Sequence, residues 1–168
     1  MAGLTLVGVG PGDPQLLTVA AVRAIEAAAV VAYPVARLEA DGMAARIAAP
    51  WIRPEQRRLP LLFPMVAEAE PRRQAWHAAA AALAAEVAAG QAVVLLCEGD
   101  ASLYASASYA LLALAERHPA CPVAVIPGIT AVAAAAAAAS SQGLTWPLAL
   151  QQETLLIRPT PETSGELE

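Results

Sequence analysis

Leu4-Thr5-Leu6-Val7-Gly8-Val9-Gly10-Pro11-Gly12-Asp13 is a short apolar run that breaks into glycines, and beyond it Leu16 to Ala28 carries apolar residues at helical spacing. It reads as strand, glycine loop, helix. Val30-Val31-Ala32-Tyr33 follows as a second buried strand with Pro34 as its stop. The crossover between the two strands is long enough for a parallel βαβ unit.

Outward from that unit the alternation continues. A short helix is expected over Gly42 to Ala48 and a strand near Arg58 to Leu62. Pro71 stands where a proline at the first helical position begins a helix, which runs from Arg72 to Ala89 and ends on Gly90 as C-cap. Ala92 to Leu96 is a third strand emerging at Glu98-Gly99-Asp100. Tyr104 to Arg117 reads as a helix, Pro122 to Ile126 as a strand, Pro127-Gly128-Ile129-Thr130 as a turn and Ala131 to Ser140 as an alanine-rich helix. This βαβα order predicts an α/β fold, an open parallel sheet with helices on both faces and ligands bound outside the carboxyl ends of its strands. After Gln142-Gly143 the chain turns through Trp146 and Pro147 into the strand-like Glu153 to Ile157, and Pro159 to Glu168 is a polar tail expected to be disordered. The reading is therefore one domain over residues 1–143, with 144–168 as linker and first strand of an incomplete second α/β domain.

Composition narrows the chemistry. The chain has 168 residues, 58 % of them hydrophobic but only 4 % aromatic, so its core is built from Val, Leu, Ile and Ala. It contains no lysine and no asparagine, which excludes a Walker-type phosphate lysine, a Schiff-base lysine and an N-glycosylation sequon. A net charge of −5 with dispersed arginines offers no basic stripe for nucleic acid. Cys97 and Cys121 form no metal-ligand spacing with histidines and read as reduced thiols of a cytoplasmic protein. The uncharged span between Arg117 and Glu153 is punctuated by Pro119, Pro122, Pro127, Gly128 and Pro147, so no membrane helix is expected.

Three glycine-containing loops carry the candidate chemistry. Gly8-Val9-Gly10-Pro11-Gly12-Asp13 allows close backbone approach to a ligand, since no Cβ stands in the way. It differs from a dinucleotide fingerprint: the third glycine falls one position early, and Pro11 removes an amide that would cradle phosphate. In Glu98-Gly99-Asp100-Ala101-Ser102-Leu103-Tyr104, Asp100 is either a helix N-cap or a ligand-binding carboxylate. Thr130 of Pro127-Gly128-Ile129-Thr130 is likewise an N-cap or part of a site.

The three loops in this order, with Leu16-Leu17-Thr18 after the first and Val30-Val31-Ala32-Tyr33 between, resemble the tetrapyrrole methylases from about Leu4 to Ile157. Within that family, Tyr33-Pro34-Val35, Phe63-Pro64-Met65 and Gly99-Asp100-Ala101-Ser102-Leu103-Tyr104 look most like the precorrin-2 C(20)-methyltransferases. Relatives methylating uroporphyrinogen usually have an acidic residue where this chain has Pro34, and Ala101 stands where the family most often has proline. The resemblance implies S-adenosylmethionine-dependent methylation of precorrin-2 or cobalt-precorrin-2 at C-20 in cobalamin biosynthesis, with no metal. It implies cofactor contacts from Pro11, Glu98, Gly99, Asp100, Leu103, Thr130 and Ala131. It also implies a second domain completing the cleft, of which this chain holds only the start, so that a homodimer or a complementing C-terminal domain is the expected partner.

No catalytic base is assigned. Tyr33 is a candidate near the acceptor or a structural tyrosine, and His77 and His118 read as ordinary helix residues. Arg37, Arg53, Arg57 and Arg58 are candidates for the carboxylates of the substrate. Competing readings are a non-catalytic remnant or half of a split methyltransferase, and a nucleotide-dependent oxidoreductase resting on the glycine loop alone.

Overall fold

The structure is a computed structural model describing residues 2–143 and 147–159. Trp146 and the tail from Thr160 to Glu168 lie outside the described residues. The chain divides into two compact units, Met1–Ala131 and Val132–Glu168.

The first unit is built on five parallel strands: β1 (Gly3–Gly8), β2 (Val30–Val35), β3 (Arg57–Leu62), β4 (Ala92–Cys97) and β5 (Val123–Ile126). They are ordered β3-β2-β4-β1-β5. Its helices are α1 (Val19–Ala27), α2 (Met43–Ala48), α3 (Ala69–Ala88) and α4 (Ala107–Arg117). Side chains alternate across the sheet as strand geometry requires. Leu4, Leu6, Val93, Leu95 and Cys97 pack with Leu83 of α3 and Leu114 of α4 on one face, whereas Val7, Val9, Val31, Val94 and Leu96 pack with Ile25 of α1 and Ile47 of α2 on the other. Trp76 stacks on Tyr109 with ring centroids 4.3 Å apart, joining α3 to α4. On the opposite face, the buried amide of Gln56 donates to the carbonyls of Ile25 and Ala28, each at 2.6 Å, tying the approach to β3 to the end of α1.

Several expected boundaries move, each for a local reason. The single helix expected from Leu16 to Ala28 is split into a 3₁₀ turn over Pro14–Leu16, capped by Asp13, and α1, whose N-cap Thr18 accepts from the Ala21 N–H at 3.1 Å. Pro34 does not stop β2: β4 pairs with β2 only as far as Ala32, so the proline removes no bond to β4, and Pro34 pairs in register with Leu61. Helix α3 starts at Ala69, which puts Pro71 at its third position, still within the first turn where a missing N–H costs nothing. It ends as expected, with Gly90 at φ +83 beyond the C-cap.

The second unit contains α5 (Ala131–Ser140), followed by a turn through Gly143 at φ +74. Glu153 to Ile157 forms no paired strand; a strand needs a neighbour to bond, and within this segment the Glu153 N–H bonds locally to the Leu150 carbonyl.

Candidate functional site

Strands β4 and β1 are neighbours, but α1, which follows β1, covers one face of the sheet and α4, which follows β4, covers the other. The loops leaving these strands therefore lead to opposite faces, which makes the carboxyl end of β1 and β4 a topological switch point, the crevice position where open α/β sheets bind ligands. Its floor is closed by backbone alone. Gly10 N–H donates to the Gly99 carbonyl at 3.1 Å, and Gly99 N–H donates back to the Gly10 carbonyl at 2.8 Å. Both glycines have positive φ, +77 and +67, which makes glycine the residue of choice at each.

The turn after β5 joins this floor. A Cβ added at Gly8 would lie 2.6 Å from the Gly128 nitrogen, and one added at Gly128 would overlap the Gly99 carbonyl and lie 2.8 Å from the Gly8 carbonyl carbon. Such separations are closer than packed atoms tolerate. Gly8, Gly99 and Gly128 are thus in backbone contact.

Asp100 crosses the same ground. Its Oδ1 accepts from the Gly128 N–H at 2.8 Å, while Oδ2 accepts from the Ser102 N–H at 3.0 Å and from the Ser102 hydroxyl. Asp100 as a residue is 8 % exposed. Burial alone would push its pKa up, but the bonds from the Ser102 hydroxyl and from the amides of Gly128, Ser102 and Ala101 outweigh that and hold it below the ordinary carboxylate value. Asp100 is not the N-cap of a helix, because α4 begins only at Ala107. The segment from Ala101 to Ser106, expected to be helical from Tyr104 onward, stays a loop: Ser108 donates through its hydroxyl to the Ala101 carbonyl at 2.8 Å, and Tyr104 has a left-handed φ of +53.

The residues proposed from sequence to contact a cofactor fall on these loops. Pro11, Gly99, Leu103 and Thr130 are half-buried, Glu98 and Ala131 are exposed, and Asp100 is buried. The arginines separate. Val30 pairs with Arg57 at the start of β2 and β3, so Arg57, Arg58 and the preceding Arg53 stand at the amino end of the sheet, a strand length of roughly 17 Å from the crevice. Arg57 pairs there with Glu86 of α3. Those three cannot line the crevice, whereas Arg37, exposed just past the end of β2 at Val35, stands at its end of the sheet. Tyr33 packs over Gly42, where an added Cβ would lie 2.6 Å from the ring, and belongs to the core face of α1 and α2. His77 lies 3.8 Å from Glu116 between α3 and α4, and His118 caps α4. Gly8, Ser102 and Gly128 were not singled out from sequence as individual residues. The Asp-x-Ser spacing was a readable local signal for Ser102; no signal existed for Gly128, 28 residues from Asp100.

Among the described residues no three His, Cys, Asp or Glu stand together as a metal ion would need, and no helix is long and apolar enough to cross a membrane. Residues 3–168 match the model of the tetrapyrrole (corrin/porphyrin) methylases. The chain is 37 % identical over 169 residues to precorrin-2 C(20)-methyltransferase of a Sinorhizobium species, covering 96 % of this chain and 65 % of that one. It is 31 % identical over 150 residues to cobalt-precorrin-2 C(20)-methyltransferase of Salmonella typhimurium, covering 88 % of this chain and 59 % of that one. The fold is similar to uroporphyrin-III C-methyltransferase from Thermus thermophilus complexed with S-adenosylhomocysteine, with a TM-score of 0.54 and 27 % identity, covering 79 % of this chain and 47 % of the other. The chain thus spans less than two thirds of these relatives.

Proposed function

Because the chain belongs to the tetrapyrrole (corrin/porphyrin) methylases, we propose that it serves S-adenosylmethionine-dependent methylation of precorrin-2 or cobalt-precorrin-2 at C-20, a step of cobalamin biosynthesis in the cytoplasm. The observation that carries the reading is the reciprocal Gly10–Gly99 bridge joining the β1 and β4 loops at the switch point of the sheet, with Pro11 where a phosphate-binding amide would stand.

The residues present suit this cofactor. Pro11 lacks the amide a pyrophosphate would use, and α1 does not open on the glycine loop: the 3₁₀ turn intervenes, and Thr18 already occupies the Ala21 N–H. That arrangement disfavours the oxidoreductase reading. A ligand without phosphate, carrying a positive charge, meets instead a glycine floor with the Glu98 carboxylate exposed at its rim. When bound, S-adenosylmethionine supplies a methyl group from a sulfonium that departs as a neutral thioether. The chain's own contribution is alignment: Pro11, Glu98, Gly99, Asp100, Leu103, Thr130 and Ala131 form the seat, and Arg37 receives a carboxylate of the acceptor.

The exposed edge of the sheet supports a partner. On β5, Val123 and Val125 are 44 % and 56 % exposed, an apolar edge that folded proteins ordinarily cover. A second copy or a complementing domain is its proposed cover, and the isolated chain self-associates. Light scattering that finds a soluble, monodisperse monomer counts against this. The test of the cofactor reading is calorimetric titration with S-adenosylhomocysteine, with NADH as control: saturable binding of the first alone supports it, and binding of NADH alone overturns it.

A further inference from the structure

Strands β4 and β5 do not touch, because β1 lies between them, two strand spacings or about 9.6 Å across. Yet the loops that follow them meet directly over the end of β1, where Gly8 has no side chain to keep them apart. A side-chain bond crosses this junction, from the Gly128 N–H to Asp100 Oδ1. Resting on the cofactor reading above, we infer that the Asp100 carboxylate is a positioning residue: it clasps the β5 turn to the β4 loop through Gly128 and so sets the backbone of Thr130 and Ala131, rather than meeting the positive charge of the cofactor itself.

Three features of the chain support this. The carboxylate is buried, and each of its oxygens is already engaged, Oδ1 by Gly128 and Oδ2 by Ser102. Glu98, two residues earlier, is exposed and leaves a carboxylate at the rim without calling on Asp100. Gly128 lies two residues before Thr130, so a shift of its amide is carried straight into the proposed contact positions. The glycines at positions 8 and 128 then have a purpose other than approach to phosphate: they let two loops close over a strand that separates them.

The experiment compares the wild-type chain with Asp100→Asn and Asp100→Ala. Hydrogen exchange at the Gly128 amide is read without ligand, and S-adenosylmethionine and S-adenosylhomocysteine are titrated separately. The two ligands differ in the sulfonium charge, so a clasp and a direct charge contact separate. Asp100→Ala is expected to speed Gly128 exchange about tenfold, the loss of one charge-assisted hydrogen bond, and to weaken both ligands by a similar factor. Asp100→Asn keeps an acceptor for Gly128 and is expected to lose less on both counts; it also serves if the alanine variant does not fold. A much larger loss for S-adenosylmethionine than for S-adenosylhomocysteine, or unchanged Gly128 exchange in the folded alanine variant, overturns the inference. A wild-type chain that binds neither ligand overturns the cofactor reading and the inference with it.

Discussion

Gly99 and Gly128, one after β4 and the other after β5, touch backbone to backbone, and only one of them needs to be glycine for lack of space. A Cβ at Gly128 would overlap the Gly99 carbonyl, whereas a Cβ at Gly99 meets nothing within 4 Å and is opposed only by its φ of +67. Gly128→Ala is therefore expected to lose about 3 kcal/mol, the upper end of the overpacking range because backbone rather than side chain must yield. Gly99→Ala should lose about 1–2 kcal/mol, the cost of a left-handed alanine. Urea denaturation orders the two, and equal midpoints would contradict the contact.

The Asp100 carboxyl is held below the ordinary range in the folded chain. A depressed folded pKa stabilises fully above the unfolded value of about 3.9, and that stabilisation is lost as the pH falls through the lower folded value. The stability difference between wild type and Asp100→Asn should stay level from pH 8 to 5 and shrink below about pH 4. Denaturation curves across that range test it; a difference that already fades between pH 7 and 5 would mean that the carboxyl is not depressed.

The two thiols should react unequally. Burial, and to a lesser extent Asp100, pushes Cys97 up to about 12, while Cys121 is only half-buried, with its pKa raised by burial. A disulfide reagent at pH 8 is expected to modify Cys121 first and Cys97 only after unfolding, since the thiolate is the reacting form. Two equal rates in the native chain would place Cys97 outside the core.

Arg58→Gln is expected to leave acceptor binding within about twofold and stability within about 0.5 kcal/mol, because Arg58 is exposed at the amino end of the sheet. Arg37→Gln is expected to weaken acceptor binding about tenfold, as loss of a charge-assisted bond does. The reverse order, measured by titration of a tetrapyrrole carboxylate, would remove Arg37 from the site.

Much of the fold was legible along the chain, because apolar periodicity and turn residues act between near neighbours. Val30 to Ala32 and Ala92 to Cys97 could hardly be anything but buried strands, and the helix ending on Gly90 carried its own stop signal. Local signals failed where a neighbour in space overruled them. Pro34 continues a strand because β4 has already left β2, and Tyr104 leaves its expected helix because Asp100, Ser102 and Ser108 hold the preceding segment as a loop.

By itself the sequence determined the βα alternation, the identity of the three loops and the absence of lysine chemistry, since each follows from residue type and short spacing. Only the tertiary structure decided the strand order β3-β2-β4-β1-β5, and everything that depends on it. That order parts the loops of β1 and β4 and brings Gly128 to Asp100 across 28 residues. The physical reason is that strand order is chosen by which apolar faces are buried together, a property of the whole core that no window of neighbouring residues contains.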